Sequence, residues 1–297
     1  MGTLADHQSA GATKMLFLGD SGTGKTGALA SLVMAGYNLK IWDFDNGLDV
    51  LVGVLREKAG QDRAKLTRWL NQVQFQTLTD RMKPVNNRLI PIQATAWQNG
   101  VNLFGKWPDG GSIETWGSQD IAVVDSMTFA GKAAMRFIQQ LNGRLNVAPQ
   151  IQDYWDAQRL VEGMCATLFD GAIKCNVIVC SHIREVGKSH QKEVTDQRGN
   201  TKIVTLTDES TKKGYAETGT GNALSPTIGR YFNAVLLAHI VGSGMSIRRE
   251  IITQPVENIG LKNPAPGTVK RSYPLDTGLA EYFAAVRSEV PAVKSAN

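Results

Sequence analysis

Residues Gly19 to Thr26 read Gly-Asp-Ser-Gly-Thr-Gly-Lys-Thr and fit the pattern G-x-x-x-x-G-K-S/T. They follow a short apolar run, Met15 to Gly19, that reads as a buried strand. They precede Lys25 to Ala35, whose apolar residues have helical spacing and which stops at Gly36. Between a strand and a helix, glycines let backbone N–H groups converge on an anion with no Cβ in the way, and the helix adds the positive end of its dipole. The expected ligand is ATP with magnesium (Mg2+). Gly19, Asp20, Ser21, Gly22, Thr23 and Gly24 are expected to cradle the phosphates, Lys25 to reach β- and γ-phosphate oxygens, and the Thr26 hydroxyl to ligate the metal. Average residue usage gives a chance match in a chain this long a probability of roughly 1%.

Such a loop needs a carboxylate on the metal side. Asp125 closes the apolar run Ile121 to Val124 and is the natural candidate, the other reading being a cap on the next helix. Hydrolysis also needs a group that orients or deprotonates water. In Trp42-Asp43-Phe44-Asp45-Asn46, strand alternation puts Asp43 and Asp45 on one face. Asp45 is preferred as the base because it lies beyond the strand end; its other reading is a cap on the helix starting near Gly47.

The remaining segments imply an α/β fold. Strands are expected at Leu39–Phe44, Val73–Leu78, Ile121–Val124 and Asn176–Cys180, with helices at about 47–58, at Ala94–Trp107 and at Asp153–Ala172. The alternation implies a mostly parallel sheet with helices on both faces. Ala234–Ile240 and Ser246–Thr253, joined through Gly242-Ser243-Gly244, read as paired strands of a C-terminal antiparallel extension. One domain over 1–297 is expected, with a flexible tail at 1–14 and a β-extension and helix over 241–297. Arg184 to Thr220 is polar, with seven Lys/Arg against six Asp/Glu, and reads as a structureless mobile loop. Cys165, Cys175 and Cys180 have no metal-type spacing and read as reduced core residues of a cytoplasmic protein. No apolar run long enough for a membrane span is present, and the first residues lack a secretory signal. The net charge of +5 permits nucleic-acid contact without requiring it.

Four separated segments resemble one family. Lys40 to Asp49 (KIWDFDNGLD) resembles the RecA-type recombinase strand ending in D-A-E-H-A-L-D, whose catalytic glutamate matches Asp45. Val123-Val124-Asp125-Ser126 is similar to the recombinase Walker B. Val177 to Arg184 is similar to the strand ending in N-Q-I-R, with His182 at the position of the γ-phosphate-sensing Gln. Gly221-Asn222-Ala223-Leu224 resembles the motif that closes the second DNA-binding loop. Glu114-Thr115-Trp116-Gly117, and Leu224-Ser225-Pro226 running into Gly229-Arg230-Tyr231-Phe232, resemble phage-encoded, core-only RecA-like ATPases of the single-strand annealing and recombination lineage. The resemblance implies ATP-dependent binding of single-stranded DNA by loops at about 142–153 and 184–220. It also implies a homo-oligomer, a filament or ring, in which a cation from the neighbour completes the site; Arg230 and Lys262 are the candidates, and Arg248 or Arg249 is a third. The chain departs in having Asp45 for Glu and His182 for Gln. The alternatives are a ring-forming helicase motor and an ATPase acting on a protein partner. The short segment before the first strand speaks against the motor. Scarce aromatics, with Tyr215 alone in the long stretch, keep the protein partner open.

Overall fold

The computed structural model describes residues 11–187, 189–195, 201–208, 211–242, 246–256 and 258–288, with the side chains of 189–195, 201–207 and 288 outside the description. The chain begins with β1 (Lys14–Leu18), the short helices α1 (Lys25–Ala28) and α2 (Ala30–Met34), β2 (Asn38–Asp43), α3 (Asp49–Ala59), α4 (Arg63–Asn71) and β3 (Val73–Thr77). A hairpin, β4 (Met82–Val85) and β5 (Arg88–Pro91), leads to α5 (Ala96–Gly105), β6 (Asp120–Asp125), α6 (Met127–Leu141), α7 (Ile151–Phe169) and β7 (Asn176–Ser181). Then come β8 (Ile183–Val186), β9 (Ser189–Thr195), β10 (Thr201–Thr207) and β11 (Lys213–Ala216). The chain closes with β12 (Ala234–Val241), β13 (Arg248–Ile252), β14 (Ser272–Pro274) and α8 (Gly278–Ser288).

Eight strands form one sheet in the order β14-β13-β12-β1-β7-β6-β2-β3. From β12 to β3 every pairing is parallel, whereas β13 and β14 join antiparallel. The central strands are apolar throughout because both faces are covered. Alternate residues enter two cores: Leu16 and Leu18 on one face with Val124 and Val179, and Met15 and Phe17 on the other with Ile41 and Ile178. Residues of α5, α6 and α7 pack on the first face, and residues of α2, α3 and α8 on the second.

All the parallel strands point their carboxyl ends to one edge of the sheet. The strand carrying Asp125, β6, lies between β2 and β7, one strand removed from β1. The main chain ties these ends together: the N–H groups of Phe44 and Asp45 donate to the Asp125 carbonyl at 2.7 and 3.2 Å, and Gly19 N–H donates to Ser181 O at 3.2 Å.

Several expectations need correction. The stretch 184–220 is not structureless: β8 pairs antiparallel with β11, and β9 with β10, giving a two-tier ribbon. Main-chain pairing across the strands defines these elements. The tail ends earlier than residue 14. Thr13 and Lys14 are buried, and Thr13 N–H donates to Asn176 Oδ1 at 3.0 Å; residues 1–10 lie outside the description, as do Ser243 and Gly244. Trp116 is a core residue, stacked at an angle against Trp42 and Trp107 at 5.8 and 5.6 Å. The cysteines are buried and free, as expected, and burial pushes the Cys165 thiol up to about 12. No helix among the described residues is long and apolar enough to cross a membrane.

Candidate functional site

The segment from Gly19 to Thr26 is built for a backbone that lacks side-chain bulk. Gly22 and Gly24 have φ of +79° and +95°, a region that favours glycine. A Cβ on Gly19 would meet Thr23 Oγ1 at 2.6 Å and the Ala238 carbonyl at 3.0 Å. A Cβ on Gly24 would meet Leu275 Cδ2 at 2.5 Å. The Thr23 hydroxyl closes the turn by donating to Asp20 O at 2.8 Å. From α1 the Lys25 ammonium curls back over the loop, donating to the carbonyls of Gly19 at 2.6 Å and Asp20 at 3.1 Å. Burial lowers its pKa, and the neighbouring acids, Asp125 among them, oppose that.

A cavity of about 600 Å³ opens above this loop. Its walls include Lys25, Thr26, Asp45, Asp125 and His182, brought from the ends of four different elements. The Thr26 hydroxyl donates to Asp125 Oδ2 at 2.7 Å. Burial pushes the Asp125 carboxyl up to about 6, against the lowering effect of that hydrogen bond. A hydroxyl and a carboxylate this close form a hard-oxygen pair suited to magnesium, which takes few protein ligands and fills its remaining positions with water and phosphate oxygens. No group of three or more His, Cys, Asp or Glu side chains placed to hold a metal occurs among the described residues.

Asp43, at the end of β2, and Asp45, two residues beyond it, have different surroundings. Asp43 is buried, accepting from Asn46 N–H at 2.7 Å and from the Thr77 hydroxyl at 3.2 Å, and burial raises its pKa. Asp45 is exposed to the cavity, and α3 has no side-chain cap at its N-terminus, so the capping alternative does not apply. His182 follows β7 and packs edge-on to Phe129, with ring centroids 6.1 Å apart. Burial, then Lys25, lowers its pKa, which makes the neutral ring the form facing the cavity at pH 7.

His182 is tied to the base of the polar ribbon. Its N–H donates to the Thr128 hydroxyl oxygen at 3.2 Å, and its carbonyl accepts from Glu217 N–H at 2.8 Å. Thr128 and Ser181 hydroxyls both donate to Glu217 O at 3.0 Å. A Cβ on Gly131 would overlap the Thr218 carbonyl, so α6 presses directly on this segment. Gln158 of α7 donates to Thr220 O at 2.9 Å, and Tyr154 lies 3.6 Å from the place a Cβ on Gly221 would take. Beside it Trp155 is 59% exposed, an aromatic missed from the sequence because it falls inside a helix whose neighbours in space are not its neighbours in sequence. The loop at 142–150 is held by Asp153, which accepts from Asn142 at 2.9 Å, pairs with Arg144 and closes a capping box with Gln150; residues 151–153 belong to α7.

Arg230 and Lys262 stand away from the cavity in their own chain. Both line a second cavity of about 580 Å³. Arg230 pairs with Glu162 at 2.6 Å, and Lys262 exchanges backbone hydrogen bonds with Val235. What the sequence did not single out as a cavity wall is the C-terminal ribbon: Arg249 of β13 with Leu275 and Asp276 after β14.

The sheet and its glycine loop thus define a phosphate-loop α/β protein. No protein-family model matches the chain, and neither does any curated protein. Among solved structures, it is similar to the RadB recombinase, at 16% identity over 82% of this chain and 80% of that one, with a TM-score of 0.42. A KaiC-like protein from Pyrococcus horikoshii matches at 11% identity over 88% and 84%, TM-score 0.41. The flagellar accessory protein FlaH from Methanocaldococcus jannaschii matches at 9% over 92% and 88%, TM-score 0.41.

Proposed function

We propose that the chain is a RecA-like ATPase that binds single-stranded DNA and works as a homo-oligomer. The observation that carries this reading is the convergence of Lys25, the Thr26–Asp125 pair, Asp45 and His182 on one cavity over the glycine loop. Loop amides and Lys25 hold the phosphate chain and place the terminal phosphoryl group toward Asp45 and His182. Magnesium, when bound, neutralises charge on the β- and γ-phosphate oxygens. Asp45 accepts the proton of the attacking water. Its side chain is one methylene shorter than glutamate, so water sits deeper or turnover is slow. The neutral His182 ring donates a hydrogen bond to the terminal phosphate. Through Thr128 and Glu217 the same residue is linked to the ribbon base, which supports coupling between nucleotide state and a strand of DNA lying along it. Tyr154 and the exposed Trp155 add stacking surfaces there to Tyr215 of β11.

The test is ATP turnover with and without single-stranded DNA, together with binding of a labelled oligothymidylate at several salt concentrations. Turnover is expected to rise with the strand, and affinity to fall steeply with salt as counterions are released. Trp155→Ala is expected to weaken binding by roughly 1–3 kcal/mol. Absence of any single-strand affinity at low salt with ATP present would remove DNA from the reading and favour a protein partner.

A further inference from the structure

The cavity over the glycine loop has a wall that the phosphate-loop reading does not use. It comes from β13 and the turn after β14, which return to the loop late in the chain. Leu275 N–H donates to Arg249 O at 3.0 Å, and Leu275 Cδ2 fills the space where a side chain on Gly24 would lie. Arg249 Cδ comes within 3.5 Å of that same point, so its guanidinium stem runs along the start of α1. The strand is firmly placed: β13 pairs with β12, which pairs with β1, the strand that feeds the loop.

Neighbouring cations are already engaged. Arg248 pairs with Glu250 at 2.7 Å, and Lys58 pairs with Asp276 at 3.0 Å. No carboxylate among the described residues pairs with Arg249. With Asp276 paired to Lys58 and Asp125 assigned to the metal side, Lys25 and Arg249 are the Lys and Arg side chains among the residues lining the cavity. An arginine suits a polyphosphate, because its planar fork donates to two phosphate oxygens at once and stays ionised.

We propose that Arg249 is a phosphate-binding residue acting on the nucleotide of its own subunit, a second cation beside Lys25 on the polyphosphate. The inference rests on the phosphate-loop reading and adds to it a contact made in cis, distinct from any cation a neighbour contributes. It assigns the C-terminal ribbon a direct part in holding the nucleotide.

The experiment compares Arg249→Ala, Arg249→Gln, Arg249→Lys, Arg248→Ala and Lys25→Ala for binding of magnesium-ATP and for kcat and KM, each variant first checked by thermal melting. Arg249→Ala and Arg249→Gln are expected to lose at least tenfold in nucleotide affinity, Arg249→Lys to recover part of it, and Arg248→Ala to stay within about twofold of the wild type. Mixing Arg249→Ala with Lys25→Ala is expected to give no more turnover than the two measured apart, because neither subunit then holds a complete set. Wild-type affinity and turnover in folded Arg249→Ala or Arg249→Gln, with Lys25→Ala inactive, would overturn the assignment while leaving the phosphate-loop reading intact. Recovery of activity on mixing would overturn its action in cis. Normal turnover in Lys25→Ala would remove the reading on which the inference rests.

Discussion

Asp43 ends β2 and Asp45 lies two residues beyond it, and their surroundings differ. Asp43 has its oxygens occupied by Asn46 N–H and the Thr77 hydroxyl inside the protein, whereas Asp45 meets the cavity. Asp45→Asn is therefore expected to bind ATP normally and lose most turnover, since an amide accepts no proton from water. Asp43→Ala is expected instead to destabilise the fold by about 1–3 kcal/mol, because it leaves a backbone donor without its partner, while the folded fraction keeps its turnover. Phosphate release and urea unfolding on the two variants check this. An active Asp45→Asn beside an inactive, stable Asp43→Ala would reverse the assignment.

At the scale of elements, the sheet was legible because its strands are short apolar runs ending at chemistry-bearing residues. Leu16 and Val179 on one face, with Phe17 and Ile178 on the other, announce burial on both, and Asp125 and His182 close such runs. What was not legible depends on pairing across distance. No element was expected from the sequence over Met127–Leu141, although α6 buries Met127, Ala130, Ala134 and Ile138 at helical spacing. The ribbon of β8 to β11 rests on pairing between separate segments, and nothing in Arg248-Arg249 tells which arginine faces the loop until Leu275, just after β14, comes alongside.

β1 also carries a buried charge whose pH dependence can be measured. Lys14 is 3% exposed, donates to Ile173 O at 3.0 Å, and burial lowers its pKa from 10.5 to about 8. A lysine depressed in the folded state costs stability wherever it is charged there, so the cost is full below about 8 and fades as pH rises toward the unfolded value. Lys14→Met is expected to stabilise by roughly 2 kcal/mol at pH 7, the relieved charge cost less a lost hydrogen bond, with the gain shrinking by pH 9. Urea unfolding of both proteins at the two pH values checks it. A difference that is constant or grows with pH would contradict the burial account.

At the scale of the whole molecule, the question is whether one chain completes its own site. Arg230 and Lys262 line a second cavity and not the one over the glycine loop of their own chain, so a role for either at that loop would require a neighbour. If one does, turnover per chain rises with protein concentration. Mixing Lys25→Ala with Arg230→Ala, or with Lys262→Ala, then restores activity for whichever residue is the finger, since one intact composite interface forms. Concentration-independent turnover, with a monomer by light scattering in the presence of ATP and single-stranded DNA, would rule out the filament or ring.

The central claim is that the glycine loop from Gly19 to Thr26 holds magnesium-ATP for hydrolysis. Calorimetric titration of magnesium-ATP into the wild type and Lys25→Ala, with phosphate release followed on the same samples, tests it most directly. Among the described residues the Lys25 ammonium donates its hydrogen bonds to the loop carbonyls of Gly19 and Asp20, so the variant is expected to melt like the wild type. The account predicts nucleotide binding and steady phosphate release in the wild type, and release at least tenfold slower in Lys25→Ala, a barrier higher by about 1.4 kcal/mol or more. Near-normal phosphate release in a folded Lys25→Ala, or no binding of magnesium-ATP by the wild type, would contradict it.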